Sequence, residues 1–257
     1  MNLSDLPDSV SRRWVSVATM RIHAAGALLD GHLTTPAAAP ALVLFTQSSP
    51  RDDAVAGVLH DRGMATLLIE PLTPPERADE GRRFDVDLLA DRVIGVLRKL
   101  RAQPVTARLP IGLFGAGVNA AAALVAAAAR PGDVQAVVTR GGRADLAGGA
   151  LAQLQAPTLL IVGERDPRLR TLNEEARRVM RSRADLCVIP DGDRFFSDPE
   201  ALRQVAIQAG DWFAEHLAAP VPERAPEVDS ALPLERPGLL DFFPPPSSAD
   251  ERCPDDA

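Results

Sequence analysis

Residues 111–130 read IGLFGAGVNAAAALVAAAAR, and this stretch decides the fold. Its first four residues form an apolar run that is typical of a strand buried on both faces. The run breaks at Gly115-Ala116-Gly117, and an alanine-rich segment of helix formers continues until Pro131-Gly132. The pattern therefore predicts a strand and a helix joined by a sharp turn, with Gly117 at the apex of the turn.

Strand and helix patterns alternate on both sides of this stretch. The alternation predicts a mainly parallel sheet that is covered by helices on both faces. Two further apolar-rich runs, Trp14–Ile22 and Ala27–Thr34, predict an antiparallel hairpin at one edge of the same sheet. Pro71–Arg83, which is charged and contains proline, predicts a loop. The remaining predicted strands are Ala41–Thr46, Ala65–Glu70, Val134–Val138, Pro157–Gly163 and Ala184–Ile189, and the remaining helices are Asp53–Asp61, Asp85–Leu100, Arg168–Arg181 and Pro199–Leu217.

The net charge of -7 is concentrated at the carboxyl end of the chain. Residues 219–257 carry nine acids, three arginines and nine prolines, so this segment alone has a charge of -6. Such a composition predicts disorder, because too little apolar surface is available to offset the entropy of ordering. We therefore expect a flexible N-terminus at 1–13, one domain at 14–218 and a disordered acidic tail at 219–257.

One apolar segment, PGLLDFFP at 237–244, interrupts the acidic tail. The sequence leaves three interpretations open: the segment docks on a protein partner, docks on its own domain, or stays unengaged.

Several classes of function are disfavoured by composition. The near-neutral body offers no electrostatic reason to expect nucleic-acid binding. We expect no membrane segment and a cytoplasmic location, because no apolar run approaches ~20 residues. Cys187 and Cys253 offer no disulfide framework and no metal spacing. We expect no cofactor, because Gly115-x-Gly117 lacks the third glycine and the downstream acid of a dinucleotide site.

From about Ile22 to Leu217, the chain resembles the dienelactone-hydrolase-like branch of the α/β-hydrolase superfamily. The resemblance implies that a Ser or Cys nucleophile, an Asp and a His stand, in that chain order, on three loops at the carboxyl ends of strands. The stretches that carry it are ALVLF, ATLLIEPLTPPE, DLLADRVIGVLRKLRAQP, IGLFGAGVNAAAALVAAAARP, VVTRGGRADLAG and APTLLIVGERDP.

Two of the three catalytic positions that the resemblance implies hold residues without the required chemistry. Gly117 stands at the nucleophile position, and no Ser, Thr or Cys lies between Thr106 and Thr139 to replace it. Arg194 stands where His is expected, and a guanidinium cannot accept a proton as a general base. Asp166 matches the acid, although Asp166-Pro167 also suits a helix cap. We expect Asp166 and Arg194 to form an ion pair.

The loop that would stabilise an oxyanion is altered as well. It reads Thr46-Gln47-Ser48-Ser49-Pro50-Arg51, in which Pro50 has no N–H and the glycines that permit close backbone approach are absent. Ser48, Ser49 and Ser197 have no histidine partner in the sequence pattern. We interpret Cys187 as a buried small hydrophobe, and the four histidines lie on no loop that would reach the turn.

These observations predict a binding or regulatory protein that has lost hydrolysis. The uncapped helix after Gly117 and the neighbouring arginines suggest a pocket for a small carboxylate or phosphate. The alternative is a residual or repurposed hydrolase of a small ester or lactone. Arg143 lies on the same loop as Arg140, and both also suit solvated loop positions. The candidate pocket residues are Gln47, Ser48, Ala116, Val118, Asn119 and Arg140.

Overall fold

The computed structural model describes residues 14–36, 38–104 and 106–217. The predicted flexible N-terminus at 1–13 and the predicted acidic tail at 219–257 lie outside the described residues. Within the described part of the chain, no helix has both the length and the apolar character that crossing a membrane requires.

Eight strands form one sheet in the order β1-β2-β4-β3-β5-β6-β7-β8. β1 pairs with β2, and β2 with β4, in antiparallel register, whereas the pairings from β4 to β8 are parallel. The predicted parallel sheet with a leading antiparallel hairpin is thereby confirmed. The strands are β1 Trp14–Ala24, β2 Ala27–Pro36, β3 Leu42–Phe45, β4 Ala65–Ile69, β5 Ile111–Ala116, β6 Ala136–Arg140, β7 Thr158–Gly163 and β8 Ala184–Ile189.

Four of the helices, α1, α4, α6 and α7, begin at side-chain caps that the sequence supplies. Ser49, Asp85, Asp166 and Asp198 each accept a hydrogen bond from a backbone N–H in the first turn of the helix that follows. A 3₁₀ segment spans Ala144–Gln153. The helices are α1 Pro50–Asp61, α2 Pro74–Ala78, α3 Glu80–Arg83, α4 Val86–Ala102, α5 Val118–Ala129, α6 Pro167–Val179 and α7 Pro199–His216.

The predicted loop at Pro71–Arg83 is wrong in part, since it contains α2 and α3. Thr73 and Glu76 form a capping box that starts α2, and Pro74 suits its first turn. The Asp79 carboxylate accepts the Gly81 and Arg82 N–H groups and so starts α3. These caps hold Arg83 and the following Phe84 beside the carboxyl ends of the strands.

The sheet separates two apolar cores. On one face, α4 and α5 pack on the sheet through residues such as Val93, Leu97 and Leu124. On the other face, α1 and α7 pack on it through residues such as Leu59 and Phe213. The helices therefore cover both faces, as predicted.

Gly115 allows α5 to start directly against β5. A Cβ atom at Gly115 would lie 2.8 Å from both Ala120 Cα and Asn119 O. Both atoms belong to backbone, which cannot move aside cheaply, so the turn requires glycine at this position.

We expect Gly115→Ala to lower the free energy of unfolding by about 1–3 kcal/mol, because the added methyl group overpacks a backbone contact. The matched control is Gly57→Ala within α1, where an added Cβ meets no atom within 4 Å. This control should raise stability by roughly 0.5–1 kcal/mol through helix propensity. Urea unfolding followed by circular dichroism measures both, and equal effects of the two substitutions would contradict the packing argument.

Candidate functional site

Gly117 has the backbone conformation of a sharp strand-to-helix turn. Its φ is 56° and its ψ is -129°, a conformation that a residue with a side chain rarely adopts. No side chain caps the first turn of α5. A Cβ at Gly117 would meet no atom within 4 Å, so the space above the turn is open.

This open space is a cleft of about 600 Å³ at the carboxyl ends of β3, β5 and β6. Its volume lies within the range of small-molecule sites. The lining comes from five segments of the chain and consists of Gln47, Ser49, Arg51, Arg83, Phe84, Ala116, Gly117, Val118, Asn119, Arg140, Gly141, Arg143, Leu146, Arg194 and Phe195.

A buried ion pair joins the end of β6 to the first turn of α1 at the base of this cleft. Arg140 Nη2 donates to Asp52 Oδ1 at 2.9 Å, and the side chains are 6% and 0% exposed. Asp52 Oδ2 also accepts hydrogen bonds from Gln47 Nε2 at 3.0 Å and from Ser49 Oγ at 2.5 Å. The Asp52 carboxylate is thus satisfied by three side chains.

A series of hydrogen bonds connects the Asp52–Arg140 pair to the turn at Gly117. Asn119 Nδ2 donates to Gln47 Oε1 at 3.0 Å, and Thr46 Oγ1 donates to the Asn119 carbonyl at 3.2 Å. The amide of Gln47 therefore bridges Asn119 on α5 and Asp52 on α1. Two buried polar atoms at the cleft, Arg140 Nε and Asn119 Oδ1, have no hydrogen-bond partner among the described residues.

The loop after β8 carries Arg194 and Phe195 to the cleft. A Cβ at Gly141, whose φ is +55°, would lie 2.5 Å from the Arg194 carbonyl oxygen, so this loop presses directly on the end of β6. The Asp193 carboxylate accepts the Ser197 and Phe195 N–H groups at 2.9 and 3.0 Å. These bonds, that of Ser197 first, hold the pKa of Asp193 below its ordinary value.

Arg143 is held by its own carboxylate partner. Its Nε and Nη2 donate to the two oxygens of Asp145 at 2.8 and 2.7 Å. These hydrogen bonds lower the pKa of Asp145 and raise the pKa of Arg143.

The lining of the cleft has a strong excess of positive charge. It includes five arginines and no aspartate or glutamate. Asp52 and Asp145 neutralise Arg140 and Arg143 from outside the lining. Arg51, Arg83 and Arg194 form no ion pair with any residue in the described ranges. Three exposed apolar side chains, Phe84, Leu146 and Phe195, stand beside these arginines.

The three positions that correspond to the implied catalytic residues line two neighbouring cavities. Gly117 and Arg194 line the same cleft, whereas Asp166 does not. Asp166 lies in a neighbouring cavity of about 140 Å³, which shares Arg143 and Arg194 with the cleft. The predicted Asp166–Arg194 ion pair is wrong, because the Asp166 carboxylate turns back to accept the Leu169 N–H at 2.9 Å as the cap of α6.

Most of the candidate pocket residues lie together in the structure. Gln47, Ala116, Val118, Asn119 and Arg140 line the cleft, and Ser48 does not.

Sequence reasoning missed the residues at the rim of the cleft. Arg140 and Arg143 also suited solvated loop positions, yet both line the cleft and Arg140 is buried. Arg83 and Phe84 come from the segment expected to be a loop and its end, and Arg51 lies in the first turn of α1. No local pattern marked Arg51, Arg83, Phe84, Leu146 or Phe195.

No imidazole belongs to the described lining of the cleft. His23 lies on β1, His32 on β2, His60 near the end of α1 and His216 at the end of α7. The Oγ of Ser49, a lining residue, donates to Asp52 rather than to a base.

No family model matches the chain. A protein of Mycobacterium tuberculosis named "Putative phosphoribosyl transferase" is 47% identical over 198 residues, which cover 75% of this chain and 45% of that protein. The chain therefore spans less than half the length of this curated relative.

The matches to solved structures cover nearly the whole of the matched chain. The crystal structure of dienelactone hydrolase from Anabaena variabilis is 42% identical, with a TM-score of 0.75, and the match covers 79% of this chain and 98% of that chain. A dienelactone hydrolase-like promiscuous phosphotriesterase, P91, from metagenomic libraries has a TM-score of 0.65 at 16% identity, covering 78% of this chain and 98% of that chain. The latter likeness concerns the fold alone.

We expect Asp52→Asn to lower the free energy of unfolding by about 3–5 kcal/mol, because it leaves the buried Arg140 cation without a counter-charge. The matched control is Glu200→Gln, which breaks the exposed Glu200–Arg203 pair on α7 and should change stability by less than about 0.5 kcal/mol. Chemical unfolding of the full chain measures both values. A loss for Asp52→Asn as small as that of the control would contradict the role given to the buried pair.

Proposed function

Given that this chain belongs to the dienelactone hydrolase family of the α/β-hydrolases, we propose that it does not hydrolyse esters. It instead binds a small carboxylate or phosphate in the arginine-lined cleft and acts as a binding or regulatory protein. The observation that carries the proposal is that Gly117 and Arg194, which stand where the family resemblance implies a nucleophile and a base, line one cleft. The proposal assigns this role to the domain at 14–218 and places the protein in the cytoplasm.

The first argument concerns the missing nucleophile. Acyl transfer needs an oxygen or sulfur at the apex of the turn, and Gly117 has no side chain. The one hydroxyl side chain in the described lining, that of Ser49, donates to the Asp52 carboxylate, which also accepts hydrogen bonds from Arg140 and Gln47. Ser49 therefore has no imidazole partner in that lining that could activate it.

The second argument concerns the missing base. Arg194 carries a fixed positive charge and cannot relay a proton between nucleophile and leaving group. Asp166, the acid position, caps α6, and no ion pair joins it to Arg194 in the described part of the chain, although both line the cavity of about 140 Å³. A hydrolytic cycle would need all three roles to be filled elsewhere.

The third argument concerns what the cleft can bind. The first N–H groups of α5 lack a side-chain cap, and the N-terminus of a helix favours an anion. Arg140, 6% exposed, lines the same cleft, and its Nε proton has no partner among the described residues. The unpaired Arg51, Arg83 and Arg194 add positive charge at the rim. Together these groups support recognition of a carboxylate or phosphate.

The name of the M. tuberculosis relative suggests one further anion to test. A phosphoribosyl transferase acts on phosphorylated ribose, and the M. tuberculosis relative bears that name, although this chain spans 45% of it. Ribose 5-phosphate therefore belongs beside inorganic phosphate and benzoate as a probe.

A second candidate function is residual hydrolysis of a small ester or lactone at a non-standard site. It is favoured by the 42% identity to a protein named dienelactone hydrolase and by the turn conformation at Gly117. It requires a nucleophile that the described cleft does not offer in the usual place.

Anion binding is tested by isothermal titration calorimetry of the full chain with benzoate, inorganic phosphate and ribose 5-phosphate. We expect binding of at least one probe, and we expect Arg194→Gln and Arg83→Gln each to weaken it by roughly tenfold, the effect of one charge-assisted hydrogen bond. Arg203→Gln on the exposed face of α7 is the control and should leave affinity unchanged. Absence of binding for all three probes, or an equal loss in the control, would overturn the proposal.

Loss of hydrolysis is tested with p-nitrophenyl acetate. The unmodified chain should show no turnover above buffer, and Gly117→Ser alone should stay inactive because no base is present. The double variant Gly117→Ser with Arg194→His should gain activity on the order of 10² over the single variant, since the space above Gly117 is open and the variant supplies a hydroxyl together with a base; the positive φ at this position strains the added serine. Turnover by the unmodified chain that Ser49→Ala abolishes would establish the residual hydrolase instead.

A further inference from the structure

The rim of the cleft exposes large apolar side chains that the fold does not require. Phe84, Leu146 and Phe195 are 60%, 40% and 62% exposed, and they come from three separate segments. Among the described residues, six large apolar side chains are exposed, and these three line one cleft. Clustered exposed apolar surface marks a binding site.

The same rim carries unpaired positive charge. Arg51, Arg83 and Arg194 are exposed, line the cleft and form no ion pair with another described residue. A carboxylate or phosphate alone would satisfy this charge but would leave the apolar rim uncovered. The cleft therefore fits an occupant that has both negative charge and large apolar side chains.

One segment of this chain has that composition. Residues 237–244, PGLLDFFP, place Leu239, Leu240, Phe242 and Phe243 around Asp241, and the tail that contains them has a charge of -6. Prolines at both ends of the segment restrict its backbone, which lowers the entropy lost on binding. The segment lies outside the described residues, so the argument for it rests on sequence and on the cleft.

The tail is also long enough to reach the cleft. α7 begins beside the loop that carries Arg194 and ends at His216, on the far side of the domain, where Leu217 packs near Gly112 at the start of β5. The 18 residues of α7 span about 27 Å. Residues 218–236 separate α7 from the segment and include four prolines. A chain of this length spans about 24 Å as a random coil and up to about 59 Å as extended polyproline II, so it can cover this distance. Attachment to the same chain then makes docking intramolecular, at a raised effective concentration.

We propose that residues 237–244 dock in the arginine-lined cleft of the same molecule, with Asp241 facing the arginines and the phenylalanine side chains covering the apolar rim. The proposal goes beyond anion binding, because it makes the tail an intramolecular competitor for the ligand of the cleft. It rests on the cleft of the proposed function, and its test distinguishes a failure of tail docking from a failure of anion binding.

The test compares the full chain with the full-length double variant Phe242→Ser, Phe243→Ser. Binding of the aromatic anion 1-anilinonaphthalene-8-sulfonate is followed by fluorescence. We expect the variant to bind the probe about tenfold more tightly, because the tail no longer competes at millimolar effective concentration. The matched control, Val221→Ser with Val228→Ser, alters the linker and should leave affinity within about twofold of the unmodified chain. Adding Arg194→Glu to the phenylalanine variant should abolish the gain and so locate it to the cleft.

A second measurement does not depend on any ligand. Amide hydrogen exchange of residues 83–88 and 190–198 should become at least threefold faster in the phenylalanine variant and stay unchanged in the linker control. Equal probe affinity and equal exchange in the two variants would overturn tail docking, whatever the result for benzoate or phosphate. Absence of probe binding with faster exchange in the variant would instead contradict the anion site and leave tail docking supported.

Discussion

The ion pair between Asp52 and Arg140 is the constraint on which the rest of the site depends. It is nearly inaccessible to solvent, so neither charge can be left alone without a large penalty. Because the pair joins the first turn of α1 to the end of β6, it fixes the two elements that flank the turn at Gly117. Gln47 extends the same network to Asn119 and so to α5. The polar network at the base of the cleft therefore ties α1, β6 and α5 together.

The turn at Gly117 is sharp and has no side chain at its apex, with φ 56° and ψ -129°. The turn is also tightly packed, because a Cβ at Gly115 would lie 2.8 Å from backbone atoms of Asn119 and Ala120. Helix α5 therefore begins without a side-chain cap beside an arginine-rich rim, and that arrangement suits anion binding.

The fold could be predicted from sequence because its signals are local. Apolar runs such as Ile111–Phe114 and caps such as Asp85 and Asp166 act within a few residues, so the strands and the five longer helices could be predicted, whereas the short helices α2 and α3 were missed. The cleft could be predicted in part, since the family resemblance places Gly117 and Arg194 on it. The errors concern long-range contacts: whether Asp166 turns toward Arg194 or caps α6, and whether Arg140 is solvated or buried against Asp52, depends on segments distant in the chain. The local pattern Asp166-Pro167 favoured the cap without excluding the ion pair, and no local pattern indicated that Arg140 is buried.

The central claim, that no activated nucleophile stands at the cleft, is tested most directly by intact-mass spectrometry of the full chain after incubation with a fluorophosphonate, with a serine esterase of known reactivity as the positive control. The account predicts that the mass of the chain is unchanged under conditions that label the control completely. A single stoichiometric adduct that maps to a residue lining the cleft would contradict it.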